Sequence, residues 1–338
     1  MELYLDSIKF SEVEEADKLG FIAGLTTTPT FLYNEGITDL DAAIVKLSKM
    51  VKVLHVEALG DTAEDIVKEA GRILGLGLSK DKTVFKIPVS EEGVKACKML
   101  TSQGMMVNVH LIYTLQQAYM AFAAGATYVC ILVGRMQDQG HDALLLVEQC
   151  VKAVERYGYK SKVMFSSVRN AEHVRNALML GAHTCTIPWK VLKMLPQNHF
   201  TDIGIKQFVD HTNLMKIKAI DIARMENIKL SHKATILEAL ELMTKSKLGS
   251  IIILDDKDKI YRIFTDGDLR RNVEVGLKDV IHTKLSELEP NNPVTIDAEA
   301  SLMEITKIFK ERKVDNLIVM KAGKPYGIVD IQDVIKWI

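Results

Sequence analysis

Short apolar runs and amphipathic stretches alternate along the chain up to about residue 190. Eight runs have the length and β-rich composition of strands: Glu2–Asp6, Phe21–Thr27, His55–Leu59, Thr83–Pro88, Met106–Ile112, Thr127–Gly134, Lys162–Val168 and Thr184–Trp189. Most are separated by helical patterns such as Leu40–Met50, Ala63–Leu74 and Glu91–Gln103. Alternating strands and helices are typical of a parallel sheet. Eight such units predict a compact α/β fold, a (β/α)8 TIM barrel.

An open, doubly wound sheet is the structural competitor of the barrel. It is disfavoured because no GxGxxG follows the first strand. The segment Leu195–Met215 predicts one or two helices that close the barrel. The first domain is therefore expected to span residues 1–215.

The pattern changes after about Met225, where the sequence begins to repeat itself. Ile263-Phe-Thr-Asp-Gly-Asp aligns with Ile328-Val-Asp-Ile-Gln-Asp. Each copy has the pattern strand, helix, strand, strand, helix, and half of such a unit cannot bury its own apolar face. We expect a second, α+β domain over residues 216–338, with repeats at about 222–280 and 281–338.

Composition excludes several classes of protein. The 338 residues are 48% hydrophobic, and 43 basic against 44 acidic residues give a net charge of −1. Disorder is excluded, and nucleic-acid and membrane partners are not expected. The first residues lack the basic segment of a signal peptide, and the four cysteines and nine histidines are scattered. We expect a cytoplasmic protein with free thiols and no metal site.

Polar side chains lie at the predicted carboxyl ends of the barrel strands, where the catalytic residues of such barrels lie. They are Asp6, Thr26 to Thr28, Glu57, Lys86, Asn108, His110, Arg135, Ser167 and Arg169.

Lys86 lies within the apolar strand Val84-Phe-Lys-Ile-Pro88. A buried lysine is costly unless it is paired or neutral. Burial favours the neutral amine, which can attack a carbonyl and form a Schiff base. The competing interpretation is a lysine at the barrel rim paired with an acid.

Asp6 and Glu57 provide carboxylates on strands near Lys86, and Schiff-base chemistry requires such acid and base groups. The alternative is that Asp6 caps a turn and Glu57 forms a salt bridge. Arg135 and Arg169 are expected to end strands six and seven and to bind phosphate. Their alternative is a pair of surface salt bridges.

Several motifs together resemble the transaldolase family, especially the short branch that includes fructose-6-phosphate aldolase. They are Met1-Glu-Leu-Tyr-Leu-Asp6, Gly24-Leu-Thr-Thr-Thr-Pro-Thr30, Phe85-Lys-Ile-Pro-Val89, Val133-Gly-Arg135 and Ser167-Val-Arg-Asn170. The resemblance covers about residues 1–215. It implies a lysine Schiff base, a phosphorylated sugar as substrate, no cofactor for catalysis and a homo-oligomer.

The resemblance also implies a role for each matching residue. Lys86 is the nucleophile, Asp6 acts on the hydroxyl that is cleaved, and Glu57 activates water. Substrate hydroxyls are held by Thr26 and Asn108. Phosphate is bound by Ser167, Arg135 and Arg169.

This sequence departs from the family at positions that line the expected pocket. Thr28 replaces Asn, His110 replaces a Thr that holds water, and Leu132 replaces an aromatic residue. Cys130 and Ile131 replace Ser and Pro. His110 is expected either to take over the water contact and act as a base or to be a neutral packing residue.

The repeated half resembles a pair of CBS domains, most specifically at Ile263-Phe-Thr-Asp-Gly-Asp-Leu-Arg-Arg271. The resemblance implies an adenine or cytidine nucleotide as effector, held by Thr265 and Asp268. In the second copy Asp333 is retained, but Asp330 replaces the Thr and would repel phosphate. Arg262 stands where Gly is common. The competing interpretation is a CBS pair that only dimerises.

These resemblances predict a Schiff-base transaldolase or class I aldolase that acts on a ketose phosphate under nucleotide control, in carbohydrate or surface-polysaccharide metabolism. The alternative is a catalytically degenerate barrel that serves as a CBS-controlled scaffold. A third hypothesis is catalysis on an unusual, higher-carbon sugar phosphate.

Overall fold

The first unit of the chain is a closed barrel of eight parallel strands. The computed structural model describes residues 1–274 and 279–337. Strands β1 to β8 are Glu2–Asp6, Gly24–Thr26, Leu54–Glu57, Thr83–Pro88, Met106–Ile112, Tyr128–Leu132, Lys162–Ser166 and Thr184–Pro188. They pair in chain order, and β8 returns to pair with β1. The predicted barrel is confirmed, and the open sheet is excluded.

Helices surround the barrel strands. Helices α1 to α10 are Phe10–Asp17, Pro29–Asn34, Leu40–Met50, Ala63–Gly75, Glu91–Ser102, Leu115–Ala124, Val133–Asp138, Ala143–Tyr157, Ala171–Met179 and Trp189–Met194, with a 3₁₀ helix at Lys80–Lys82. Side-chain caps begin several of them: Ser90 accepts from the Gly93 amide before α5, and Asn170 accepts from the His173 amide before α9. Such caps satisfy otherwise unpaired amides where a loop becomes a helix.

Strand alternation separates two environments within the barrel. Phe85 and Ile87 on β4 pack in the core between strands and helices, whereas Lys86 between them faces the barrel interior. The register then places Glu57, Lys86 and Asn108 side by side on β3, β4 and β5. This register gathers the polar residues at one end of the barrel.

Two strands end earlier than the sequence suggests. Strand β6 stops at Leu132, so Arg135 lies on the short helix α7. Strand β7 stops at Ser166, so Arg169 lies in the loop that follows. The expectation that these arginines end their strands is wrong by a few residues, because the chain turns as soon as it leaves the barrel wall.

The structure divides into compact units between Gln197 and Asn198, earlier than the expected boundary at 215. Helix α11, His199–Lys216, belongs to the second unit and contacts α15, Leu302–Arg312. None of its residues is fully buried, but Leu214 near its end packs against the core that contains Leu302. This helix therefore joins the second unit and does not close the barrel.

The second unit contains two copies of one arrangement. Its strands β9 to β14 are Lys229–Ser231, Ser250–Leu254, Ile260–Thr265, Thr295–Asp297, Asn316–Lys321 and Lys324–Asp330. Its remaining helices are α12 Ala219–Ile222, α13 Ile236–Ser246, α14 Asp266–Glu274 and α16 Ile331–Ile335, with 3₁₀ helices at Val280–His282 and Leu285–Glu287. Strands β9, β10 and β11 form one sheet and β12, β13 and β14 the other. The predicted order of strand, helix, strand, strand, helix is present in both copies.

The segment that leads into each copy crosses to the other copy. Arg224, ahead of β9, forms an antiparallel bridge with Ile328 on β14. Asn291, ahead of β12, exchanges two side-chain hydrogen bonds of 2.9 Å with the backbone of Ile263 on β11. The two copies are thus interlocked through their leading segments.

The four cysteines are buried free thiols. Within residues 1–274 and 279–337, no helix is long and apolar enough to cross a membrane. Over the same residues, no group of three or more His, Cys, Asp or Glu side chains is arranged to hold a metal ion.

Candidate active site

A single cavity at the carboxyl ends of the strands is lined by all the barrel residues predicted from the sequence except Thr27. Its volume of about 650 Å³ suits a small molecule. The predicted residues in its lining are Asp6, Thr26, Thr28, Glu57, Lys86, Asn108, His110, Arg135, Ser167 and Arg169. Thr265, Asp268 and Asp333 belong to the second unit and are described separately.

Lys86 lies in the interior of the barrel with 5% of its surface exposed. Its Nζ is 2.9 Å from Glu57 Oε1 and donates a hydrogen bond of 2.6 Å to the Thr27 carbonyl oxygen. Burial without partners would be costly for this amine, and two oxygens relieve that cost. The expected pairing with an acid is observed, and it leaves Lys86 facing the cavity with a proton acceptor beside it.

Glu57 connects Lys86 to His110. Its second oxygen, Oε2, lies 3.0 Å from His110 Nε2. Within residues 1–274 and 279–337, neither atom has a partner with the geometry of a hydrogen bond. Burial raises the pKa of Glu57, but His110 and Lys86 outweigh burial and leave that pKa below its usual value. Glu57 is therefore an ionised carboxylate between two nitrogen bases.

A β-bulge turns Leu111 into the cavity beside His110, which already lies on the same face of β5 as Asn108. The pairing of β5 with β6 shifts between Val109 and Ile112, and Leu111 has a positive φ of 58°. Strict alternation would place one of two adjacent residues outside the barrel, but both His110 and Leu111 line the cavity. Bulges near active sites commonly redirect side chains in this way.

Asp6 lies at the end of β1 and is close enough to Lys86 to feel its charge. Thr26 Oγ1 donates a hydrogen bond of 2.7 Å to Asp6 Oδ1 and lies 2.5 Å from Thr186 Oγ1. Burial raises the pKa of Asp6 above its usual value, even though Lys86 and Thr26 oppose that rise. The two acids near the lysine therefore have pKa values shifted in opposite directions, which is typical of acid–base sites.

Arg135, Ser167 and Arg169 form the rim of the cavity. Arg135 donates to the Tyr113 hydroxyl at 3.1 Å, and Arg169 pairs with Asp138 at 2.8 Å while about half exposed. The alternative of a surface salt bridge is thus observed for Arg169, whereas Arg135 has none with the residues that the structure describes.

A close approach of the chain brings the two sides of this rim together. A Cβ on Gly134 would lie 1.9 Å from the Ser167 carbonyl oxygen, so only glycine fits. Ser167 itself has a positive φ of 59°, which is uncommon for a residue other than glycine. The rim is built by a tight contact between α7 and the loop after β7.

In the second unit, Thr265 and Asp268 form a compact group at the start of α14. The amide and hydroxyl of Thr265 each donate to Asp268 Oδ2 at 2.9 Å. Asp268 Oδ1 accepts from Arg271 at 2.6 Å and lies 3.3 Å from Arg262. The carboxylate expected to meet a ribose is thus already surrounded by donors of this chain.

The corresponding group of the second copy is arranged differently. Asp333 accepts two hydrogen bonds of 2.7 Å from Arg224. Burial raises the pKa of Asp333, but Arg224 and Lys336 outweigh burial and leave that pKa below its usual value. Asp330 accepts from the Gln332 amide at 2.8 Å and so caps α16.

The exchange of Gly for Arg between the copies has a steric reason. A Cβ on Gly327 would lie 2.9 Å from the Arg224 carbonyl oxygen, so the crossing segment requires glycine there. At the equivalent position of the first copy, Arg262 is buried and donates to the Glu289 carbonyl oxygen at 2.8 Å. Arg262 thus binds the segment that leads into the second copy, whereas Gly327 leaves room for the segment that leads into the first.

Comparison with known proteins identifies the barrel. Residues 3–242 match the model of the family described as Transaldolase/Fructose-6-phosphate aldolase. The chain belongs to this family. A probable transaldolase of Coprothermobacter proteolyticus is 35% identical over 209 residues, which are 62% of this chain and 95% of the relative. A probable transaldolase of Methanococcus vannielii is 36% identical over 210 residues, with 62% and 96% covered.

The transaldolase-family barrel is joined to CBS domains, whose model matches residues 219–275 and 285–338. A crystal structure of the CBS domain of a membrane protein from Sphaerobacter thermophilus covers 41% of this chain and 98% of its own. Its sequence identity is 16% and its TM-score 0.36. Since that score is low, the assignment of the CBS pair rests on the family model.

Several cavity residues of this transaldolase-family barrel were missed by sequence reasoning. Thr186 at the end of β8 would have been found by applying the strand-end rule to the eighth strand. Lys190 follows it on α10, and Phe31 lies on α2; both line the cavity. The strand-end rule does not apply to residues on helices, so Lys190 and Phe31 can be found only from the fold.

Proposed function

We propose that the barrel is a Schiff-base-forming transaldolase or class I aldolase that acts on a ketose phosphate. The observation that carries the proposal is the amine of Lys86, 2.9 Å from an ionised Glu57 in a cavity that also contains Asp6. A lysine needs a base to become a nucleophile, and Glu57 provides it. The relatives named probable transaldolase support this assignment.

The reaction begins when Lys86 transfers a proton to Glu57 and attacks the ketone carbon. A carbon–nitrogen bond forms, and the carbonyl oxygen takes up a proton to give a carbinolamine. Glu57 returns the proton it accepted to that hydroxyl, which leaves as water, and an iminium remains on Lys86. His110, 3.0 Å from Glu57, replaces a water contact and exchanges protons with this carboxylate.

Asp6 then accepts the proton of the hydroxyl next to the bond that breaks. The aldehyde product leaves, and the electron pair of the broken carbon–carbon bond moves to the iminium, giving an enamine on Lys86. The enamine adds to an acceptor aldehyde in a transaldolase, or it is protonated and hydrolysed in an aldolase. The iminium is the electron sink, so the mechanism needs no cofactor.

The remaining cavity residues bind substrate in this proposal. Thr26, Thr28 and Asn108 hold hydroxyl groups. Arg135, Ser167 and Arg169 bind the phosphate, because guanidinium groups pair with phosphate through two hydrogen bonds. Arg169 must exchange Asp138 for the phosphate, and its exposed salt bridge is weak enough to allow this.

Borohydride trapping tests the mechanism. The full chain is incubated with fructose 6-phosphate, reduced and digested, and the peptides are analysed by mass spectrometry. We expect an adduct on Lys86 that the variant Lys86→Met lacks. Lys190→Met is the matched control, because Lys190 lines the same cavity, and it should retain the adduct on Lys86. An adduct confined to Lys190 would overturn the assignment.

A second candidate function is a non-catalytic barrel that serves as a CBS-controlled scaffold. Thr28, His110 and Leu132 favour it, because all three depart from the family and line the cavity. Turnover of any ketose phosphate by the purified protein excludes this candidate. Screening longer sugar phosphates also tests the third hypothesis, an unusual higher-carbon substrate.

For the CBS pair, we propose a regulatory site at Thr265 and Asp268 that binds an adenine or cytidine nucleotide. A ribose would replace the contact of Asp268 with Arg271, whose side chain is largely exposed. The carboxylate of Asp330 opposes phosphate at the second site, so we expect Asp333 to contribute less to nucleotide binding than Asp268. Calorimetry with AMP, ATP and CTP should detect binding that Asp268→Ala abolishes and Asp333→Ala only weakens. Equal losses would argue against a single dominant site.

A further inference from the structure

His55 lies in the barrel interior beneath the proposed catalytic residues, on the same strand as Glu57 and two residues before it. It is fully buried. Its ring packs against those of Tyr4 and Tyr128, with centroid distances of 5.0 and 4.7 Å. The one polar contact of its ring among the described residues joins Nδ1 to Asn108 Nδ2 at 3.0 Å. The proposed mechanism does not use this histidine.

The ring of His55 is neutral. Burial, and then the charge of Lys86, lower its pKa well below the usual value. A neutral imidazole has one nitrogen that donates and one that accepts. Because the amide NH₂ of Asn108 faces Nδ1, Nδ1 is the acceptor and the proton lies on Nε2, which has no hydrogen-bond partner among the described residues.

This contact fixes the orientation of the Asn108 amide. The NH₂ group faces His55 Nδ1 and also lies 3.6 Å from Met164 Sδ. The carbonyl oxygen Oδ1 is left buried without a partner in the described part of the chain. A buried acceptor without a donor is costly, and Asn108 lines the cavity as the register neighbour of Lys86. A bound molecule can supply the missing donor.

We propose that His55 is a positioning residue that holds Asn108 so that its carbonyl oxygen, rather than its NH₂ group, is offered to a substrate hydroxyl beside Lys86. The inference rests on the proposed function and deepens it. A carbonyl oxygen also favours the positive charge of an iminium on Lys86, whereas an NH₂ group at that place would oppose it. The substrate class implied is a polyol with a hydroxyl next to the carbon that Lys86 attacks.

Three variants of the full chain separate positioning from packing. His55→Asn keeps an acceptor near the place of Nδ1, His55→Gln keeps a polar group near the place of Nε2, and His55→Phe keeps the ring without either nitrogen. We expect kcat/KM with fructose 6-phosphate to stay within about threefold for His55→Asn. It should fall about tenfold to a hundredfold for the other two, as for an unsatisfied polar contact.

Thermal stability should follow the opposite order. Phe fills the volume of the ring and Asn leaves a cavity, so His55→Phe is expected to be the more stable and the less active variant. A purely structural His55 would make activity follow stability. That result, or equal activity in all three variants, would overturn the proposal.

A spectroscopic test does not depend on activity. ¹⁵N NMR of the histidine-labelled wild-type chain should show His55 as the neutral tautomer protonated at Nε2 between about pH 5 and 8. Protonation at Nδ1 would overturn the inference. If wild-type protein yields no borohydride adduct on Lys86, the proposed function fails, and the tautomer still decides the orientation of Asn108.

Discussion

The charged side chains at the inner end of the cavity are buried, whereas those at its rim are exposed. At the inner end, Lys86 and Glu57 have side chains 6% and 7% exposed and lie against each other. At the rim, Arg169 and Asp138 are 52% and 59% exposed. Charges in a buried pair interact strongly and are costly to separate, whereas an exposed pair is screened by water. The inner end is therefore suited to chemistry, and the rim to reversible recognition.

The largest expected effect tests the inner end directly. Lys86→Met removes the proposed nucleophile, and we expect turnover of ketose phosphates to fall about 10⁵-fold, as when other covalent enzymes lose their nucleophile. Steady-state assays on the full chain measure this loss. Residual turnover within tenfold of wild type would place the chemistry elsewhere.

The next effect concerns stability. Glu57→Gln leaves Lys86 buried without its carboxylate, and we expect a loss of about 3–5 kcal/mol in the free energy of unfolding of the barrel. The double variant Lys86→Met with Glu57→Gln should recover much of that loss, because no unpaired charge remains. Denaturant titrations of the full chain measure both.

The matched control is Glu2→Gln, which breaks the pair between Glu2 and Lys162. That pair has the same chemistry, but its side chains are 45% and 40% exposed. We expect a cost of at most about 1 kcal/mol. Equal losses of unfolding free energy in Glu57→Gln and Glu2→Gln would show that the buried pair contributes no more to stability than the exposed one.

At the rim, Arg135→Ala and Arg169→Ala should raise KM for a phosphorylated ketose about tenfold to a hundredfold, as for a lost hydrogen bond to a charged group. The kcat should change little, and fructose without phosphate should show no further loss. Arg175→Ala is the control, since Arg175 pairs with Glu172 on α9 away from the cavity lining. A fall in kcat with unchanged KM would assign the rim to catalysis.

The smallest effect depends on pH. Burial raises the pKa of Asp6 in the folded protein, so its ionisation costs stability as pH rises through that value. Asp6→Asn should abolish activity yet stabilise the barrel at pH 7, because no carboxylate then has to ionise in the buried site. The gain should vanish below about pH 4, where Asp6 is protonated in both states. Melting curves from pH 4 to 8 test this, and a variant less stable at pH 7 would contradict the shift.

Much of the barrel and of its inner site was predictable from the sequence. Alternation of strands and helices predicts the barrel, and the strand-end rule finds Asp6, Glu57 and Lys86 because each is polar within an apolar run. The strand-end rule predicts which way a side chain points only where side chains alternate regularly along the strand. The bulge at Leu111 breaks alternation, so the place of Leu111 in the cavity lining could not be derived.

Other features depend on contacts between distant segments. The apolar positions of α11 predict a helix but not its packing partner, and the helix joins the second unit. In the sequence, His55 looks like any residue of a buried strand. The role proposed for it depends on the contact with Asn108, which only the folded β5 provides. The shielding of Asp268 by Arg262 and Arg271 likewise requires the folded repeat.

The crossing of the leading segments in the second unit bears on the order in which the chain folds. Ile263 obtains its partner when Asn291 is synthesised, a short distance along the chain. Arg224, although it precedes both copies, must wait for Ile328 on the last strand. Neither copy is complete without the other, so the pair should unfold in one cooperative step. A chain truncated before β14 should leave the first copy open to proteases, although every strand of its own sheet is present.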